Sequence, residues 1–235
     1  MSCGSLDGRG FGGEWIPVYL WLSPFSVHLK FEQCCSWAVQ NQLANGAWDN
    51  FSFIYPDYPF GAMCQGEAAS LLVRAYSETG DRCYLDSAIK AIDYMITPVE
   101  NGGTLLVKDN DYILLEYMHK APVLNGWIFA LFGLYDVLLV YKKEEYKKMY
   151  ECSLDTIARY IQAYDKGYWS LYNTDGAVAS EFYHKLHIAQ MQALSQISDN
   201  EVFRTYYDKW TQDVNKLSRR IRAFFVKAGQ KIIEK

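Results

Sequence analysis

GAMCQGEAASLLVRAYSETGDRCYLDSAIKAIDYMI, residues 61–96, is the stretch whose reading decides the fold. Apolar residues recur at helical spacing over residues 61–77 and again over 84–96, and Thr79-Gly80-Asp81 supplies a stop and a start between them. This pattern predicts two antiparallel helices joined by a tight link. Gly66 sits inside the first helix, where it costs about 1 kcal/mol relative to Ala, so a close-packing role is expected. Gln65, Glu67 and Arg74 lie on the same helix and fit either a core network or a substrate site.

The alternation continues on both sides. Upstream, residues 27–43 predict a helix with Phe31, Cys35, Ala38 and Gln42 along one line, stopped at Asn45-Gly46. Residues 50–60, NFSFIYPDYPF, form an aromatic loop. Downstream, 104–107 and 112–117 read as short strands around Lys108-Asp109-Asn110-Asp111. Pro122 is placed to open a helix reaching about residue 143, and another helix spans 147–164. A turn at Asp165-Lys166-Gly167 precedes a short strand over 169–172. Helices then cover 182–197 and 201 to about 221, with a basic tail beyond. The expected fold is all-α: an α/α toroid or barrel of helical hairpins, with short β-hairpins in the loops that line a cleft. Residues 27–235 form this domain and residues 1–26 an irregular or strand-like lead-in.

Composition narrows the class. Half of the 235 residues are hydrophobic and 21% are charged, which suits a packed core and excludes extended disorder. With 23 Lys+Arg against 27 Asp+Glu the net charge is -4, which opposes a nucleic-acid role while leaving room for a local basic patch. The apolar run 15–27 is too short to span a bilayer, and Asn125 and Asp136 interrupt the run 124–141. Only Arg9 precedes the first run, a weak signal-peptide start. No compartment follows: a cytoplasmic bacterial form and a fragment of a longer secretory-pathway enzyme both fit. The six cysteines form no metal-binding spacing, so buried free thiols and no metal site are expected. Half of the aromatics are tyrosines, 19 against 12 Phe and 7 Trp. Tyr offers an apolar face with a polar tip, suited both to packing and to binding sugars.

Three further segments carry chemistry-bearing residues. Glu116-Tyr117 sits at a strand end just before Asn125 and a helix start; it reads as a site or as an exposed Glu beside a packed Tyr. Residues 165–172, DKGYWSLY, offer Trp169 or Tyr168 to stack on a sugar, or pack as a hairpin. In residues 181–190, Tyr183, His187 and Gln190 share one helix face, with His184 beside them. A polar face lining a cleft fits them better than a metal site, because HxxH alone is a weak ligand set.

Residues 62–76 (AMCQGEAASLLVRAY), 84–91 (YLDSAIKA), Glu116-Tyr117, 123–136 (VLNGWIFALFGLYD), 164–167 with 169–172, and 183–190 (YHKLHIAQ) occur in one order. This string resembles the C-terminal catalytic region of the D-glucuronyl C5-epimerases over roughly residues 30–215. The resemblance implies an α/α barrel, inversion of glucuronic acid at C5 to iduronic acid within an acidic polysaccharide such as heparosan, and catalytic roles for Glu116, Tyr117, Tyr172 and Tyr183. This chain carries Leu115 where the family has an acidic residue, and Ser180 where it often has an arginine. The β-rich regions that precede the barrel in the longer animal enzymes have no counterpart in it.

C5 inversion removes a proton beside a carboxylate, then returns one to the opposite face. The intermediate needs donors or cations aimed at the carboxylate oxygens. Glu116 and Tyr183 are expected to flank the ring as the proton-transferring pair, with tyrosine serving if neighbours lower its pKa. Tyr117 and Tyr172 would donate to the carboxylate or assist the shuttle. Gln65, Arg74, Asn125, Trp169, His184, His187 and Gln190 are the supporting, substrate-binding candidates. The scheme requires no metal or organic cofactor, and a homodimer is compatible with it. Other readings are a lyase, which expels the 4-linked sugar after the same proton abstraction, an inverting hydrolase using two carboxylates, and a non-catalytic carbohydrate-binding module.

Overall fold

A computed structural model describes residues 24–233, with side chains from residue 30 onward. The helices are α1 (Pro24–Asn41), α2 (Ala62–Thr79), α3 (Arg82–Met95), α4 (Leu124–Val140), α5 (Glu144–Tyr160), α6 (Glu181–Ile197), α7 (Glu201–Val214) and α8 (Leu217–Ile233). The described sheet is one hairpin of β1 (Leu105–Lys108) and β2 (Asp111–Leu114). The fold is all-α, as expected.

The decisive hairpin forms for local reasons. Gly80 takes φ 72°, a left-handed conformation open to glycine without strain, and its N–H donates to Tyr76 O at 2.8 Å. Asp81 then accepts from Cys83 N–H at 2.9 Å and caps α3. A Cβ on Gly80 would meet open space.

α4 is the central helix, with Leu124, Trp127, Ile128, Ala130, Leu131, Leu134 and Val137 buried. It crosses α2 at small residues. A Cβ on Gly66 would sit 2.7 Å from Ala130 Cα, and one on Gly133 would strike the Gly66 backbone. The expected packing role of Gly66 is what the crossing shows. The β-hairpin docks on α5: Asp111 accepts from Tyr160 Oη and from Arg159, both at 2.6 Å, and Tyr112 N–H donates to Thr156 Oγ1 at 3.1 Å.

Several boundaries differ from the sequence reading. β2 ends at Leu114 because the next residues turn toward α2: Leu115 N–H donates to Thr104 O, and Leu115 O accepts from Ala62 N–H. Pro122 lies two residues before α4 and does not begin it. The helix expected over 147–164 starts at Glu144 and tightens into a 3-10 turn over Ile161–Tyr164. Residues 169–172 form only isolated bridges, Asp165 with Ser170 and Leu171 with Val178, since loop carbonyls and α6 take the remaining partners. The last helix is two. Buried Asp213 pairs with Arg219 and its carbonyl accepts from Lys216 N–H, folding the chain into α8, so the basic tail is helical.

The lead-in expected over 1–26 lies outside the described residues except for 24–26, which begin α1. Among the described cysteines, Cys35 is buried while Cys34 and Cys83 are exposed, which corrects the expectation of uniformly buried thiols. Adjacent residues of a helix face apart, so Cys34 and Cys35 separate as the periodicity requires. No described helix is long and apolar enough to cross a membrane.

Candidate active site

Three helix starts meet where Glu116 enters the core. The Ala62 N–H at the head of α2 donates to Leu115 O at 2.8 Å. The Leu124 N–H at the head of α4 donates to Tyr172 O at 3.1 Å. Ser180 caps α6 by accepting from Tyr183 N–H at 3.3 Å. Tyr172 is fixed further by its own N–H, which donates to Ala177 O at 2.6 Å. The convergence gathers the positive ends of three helix dipoles at one place, a setting that favours an anionic ligand.

Glu116 is 8% exposed and Oε2 has no protein hydrogen-bond partner. It lies against Gly126 in the first turn of α4, and a Cβ there would stand 2.8 Å from the carboxyl carbon. Glycine at 126 therefore makes the space that the carboxylate occupies. Tyr117 donates toward Glu116, and Tyr172 donates toward Tyr117. The Tyr183 ring meets Tyr172 edge-on, with centroids 4.9 Å apart. The structure thus brings together the four residues expected to be catalytic.

Burial pushes the Glu116 carboxyl above its ordinary range, opposed by the hydrogen bond from Tyr117. Such a carboxylate is a stronger base than one in water. Burial and the neighbouring Glu116 push Tyr117 up to about 12, and the same two causes raise Tyr172 further. Both stay protonated at neutral pH and are equipped to donate hydrogen bonds.

Glu116 forms part of the wall of an open cavity of about 620 Å³, with Asn50, Phe51, Cys64 and Glu67. A second cavity of about 640 Å³ shares Asn50, Cys64, Ala68 and Leu71 with it and reaches Lys30 and exposed Trp37. Phe51 also stacks on Tyr117, with centroids 4.7 Å apart, and so links the groove to the tyrosines.

The supporting candidates fall elsewhere. Gln65 is fully buried, with its amide engaged by Trp48 N–H, Trp48 O and Gly61 O; it anchors the 48–61 loop to α2. Arg74 pairs with Asp136 at 2.9 Å, two turns further along α2. Trp169 is buried, stacked on His184 at 3.7 Å, with its Nε1–H donated to Ala179 O, and lies away from the groove that Glu116 lines. His184 and His187 are both buried, and Ser170 Oγ lies 2.8 Å from the Nδ1 of each. Burial drives their pKa values down to about 4 and about 3, so both are neutral. Gln190 is buried and donates to Asn125 O at 3.0 Å, while Asn125 is buried at the head of α4. Gln190 therefore packs against α4, and His184 and His187 against Ser170 and Trp210, so these three do not line the open groove. Among the described residues, no group of three or more His, Cys, Asp or Glu is arranged to hold a metal ion.

Residues not singled out before complete the rim. Tyr55 stands edge-on to Tyr117 and to His119, and His119 stacks on Tyr58 at 4.5 Å. Lys120 Nζ donates to Tyr55 Oη and lies over the Tyr55 and Tyr117 rings. The signal was the density of aromatics in 50–60 together with a His-Lys pair just after Glu116-Tyr117. Neither segment announces by itself that the two meet.

Comparison with known proteins fits this geometry. The family model described as the D-glucuronyl C5-epimerase C-terminus matches residues 51–212, which include all four clustered residues. The chain is 32% identical over 173 residues to the uncharacterized protein MJ1128 of Methanocaldococcus jannaschii, covering 69% of this chain and 56% of that protein. It is 26% identical over 212 residues to a D-glucuronyl C5-epimerase of Caenorhabditis elegans, covering 77% of this chain and 34% of that enzyme. The chain thus spans about half of the one relative's length and a third of the other's. With the family model covering well over half its length, the chain belongs to the D-glucuronyl C5-epimerase C-terminal family.

Proposed function

We propose that the chain catalyses C5 epimerisation of D-glucuronic acid residues in a polysaccharide, giving L-iduronic acid. The observation that carries this reading is the cluster of Glu116, Tyr117, Tyr172 and Tyr183 at three converging helix starts. Glu116 takes the C5 proton, helped by the desolvation that strengthens it as a base. The electron pair from the broken C–H bond spreads into the sugar carboxylate. Tyr117 and Tyr172, held protonated, donate to the oxygens where that charge gathers. Tyr183 delivers a proton to the opposite face of C5, and solvent restores both groups. The groove running from Glu116 toward Trp37 suits an extended polymer better than a free sugar.

The fold that accompanies this reading is an α/α toroid over residues 27–235. α2, α4 and α6 start beside the site, and α3, α5 and α7 run back toward it. The test is incubation with N-acetylated or de-N-acetylated heparosan in D2O, read by NMR at C5. Deuterium at C5 in intact chains is the expected result. Cleaved chains with unsaturated ends would assign a lyase instead, and no exchange on any uronan would refute the epimerase.

A further inference from the structure

The chemistry at Glu116 concentrates negative charge on a sugar carboxylate, and helix starts alone are weak partners for it. Several cations of the chain are committed to carboxylates. Arg74 is paired with Asp136, Arg159 with Asp111, and Arg220 and Lys185 with Glu181. Lys120 differs. It is exposed, its described partners are aromatic rings and a hydroxyl, and none of them is a carboxylate. Its Nζ lies 4.3 Å from the Tyr55 ring centroid and 4.8 Å from that of Tyr117. Tyr117 is the residue that donates toward Glu116.

This is a built position. Tyr55 Oη accepts one Lys120 proton, and the Tyr55 and Tyr117 faces attract the charge without neutralising it. An ammonium carries three donors, so two remain for an incoming anion. The 50–60 loop holds Tyr55 in place, since Asn50 and Phe51 N–H both donate to Pro59 O and Tyr55 N–H donates to Phe51 O. The stacked pair of Tyr58 and His119 beside it adds a flat, partly exposed face of the kind that receives a sugar ring.

We infer that Lys120, seated on Tyr55 and Tyr117, binds the carboxylate of the uronic acid in the site and selects carboxylated over neutral sugars. The inference rests on the functional reading above. It also makes a binding claim that can be measured without turnover. A charge-assisted hydrogen bond lost at this position should weaken binding about 10- to 100-fold.

The experiment titrates a heparosan oligosaccharide and its carboxyl-reduced counterpart into the parent chain, Lys120→Gln, Lys120→Arg and Glu116→Gln, with affinity read by calorimetry. Far-ultraviolet circular dichroism checks that each variant is folded. The expected result is preference for the carboxylated oligosaccharide in the parent, loss of that preference in Lys120→Gln, substantial recovery in Lys120→Arg, and retention in Glu116→Gln. Equal affinity of the parent and Lys120→Gln for the carboxylated oligosaccharide overturns the inference, as does a parent that binds both oligosaccharides equally or neither. Selective, Lys120-dependent binding without C5 exchange would leave this inference standing and refute the epimerase. Exchange at C5 with unaltered binding by Lys120→Gln would do the reverse.

Discussion

Two polar clusters lie side by side and share their chain segments. One is Glu116, Tyr117, Tyr172 and Tyr183; the other is Ser170, His184 and His187. Tyr183 and His184 are consecutive residues of α6, and the rotation of about 100° between neighbours sends them to different fates. The tyrosines are half-buried and reach the groove through Phe51, whereas the histidines are sealed in and already satisfied at Nδ1 by a serine. Histidine is the residue usually expected to move protons near neutral pH. Here burial takes both histidines out of that range, while the base in the proposed reaction is a carboxylate whose pKa burial raises. A side chain's chemistry depends on which solvent it faces, and adjacent residues can face different ones.

Glu116→Gln should break the first cluster most completely, lowering C5 exchange by about 10⁴-fold, at the upper end of what a general base contributes. The sign of its stability effect is the opposite. A carboxyl with a raised folded-state pKa holds its proton more tightly when folded, so the charged form costs stability as pH rises through that range. Thermal unfolding at pH 7 should show the variant as stable as the parent or more so. Tyr183→Phe should fold normally and lose about 10³-fold in exchange, read by the same NMR experiment. An active Phe variant would remove Tyr183 from the mechanism.

Gly126→Ala tests position without altering any catalytic group. The added methyl needs space now held by the Glu116 carboxyl, so exchange should fall about 10²-fold as the base is displaced. His187→Asn sharpens the contrast from the other side, with little effect on exchange per folded molecule. Its signature is in acid. The His187 pKa falls from 6.5 to about 3 on folding, so the unfolded chain binds the extra proton between those values and stability is lost as pH drops through them. Urea unfolding between pH 7 and pH 4 should show a shallower loss for His187→Asn, with the remaining slope owed in part to His184.

The helices were legible because their periodicity and stops are local: Gly80, Asp81, Ser180 and Asn200 all mark ends where the structure has them. The Asn215-Lys216 break was not legible, since it depends on buried Asp213 meeting Arg219 across the bend. The four clustered residues were reached through resemblance more than through spacing, because 116, 172 and 183 are far apart in the chain. Of the supporting residues, Gln65, His184, His187 and Gln190 are buried on helices, and the sequence does not show which way such a face turns. A polar residue on a helix face reads the same whether that face meets solvent or another helix, and Gln190 meets Asn125. Lys120 escaped notice because its partner Tyr55 is 65 residues away.

The Gly80 turn has a practical corollary. α2 has 18 residues and so runs about 27 Å from the Leu115 clasp to that turn. A position where an added side chain would meet open space, at the far end of a rigid rod from the groove, is where the polypeptide can be cut, circularly permuted or fused to a reporter. A fluorophore attached there would track the tumbling of the whole domain while leaving a long polymer free to thread past Glu116.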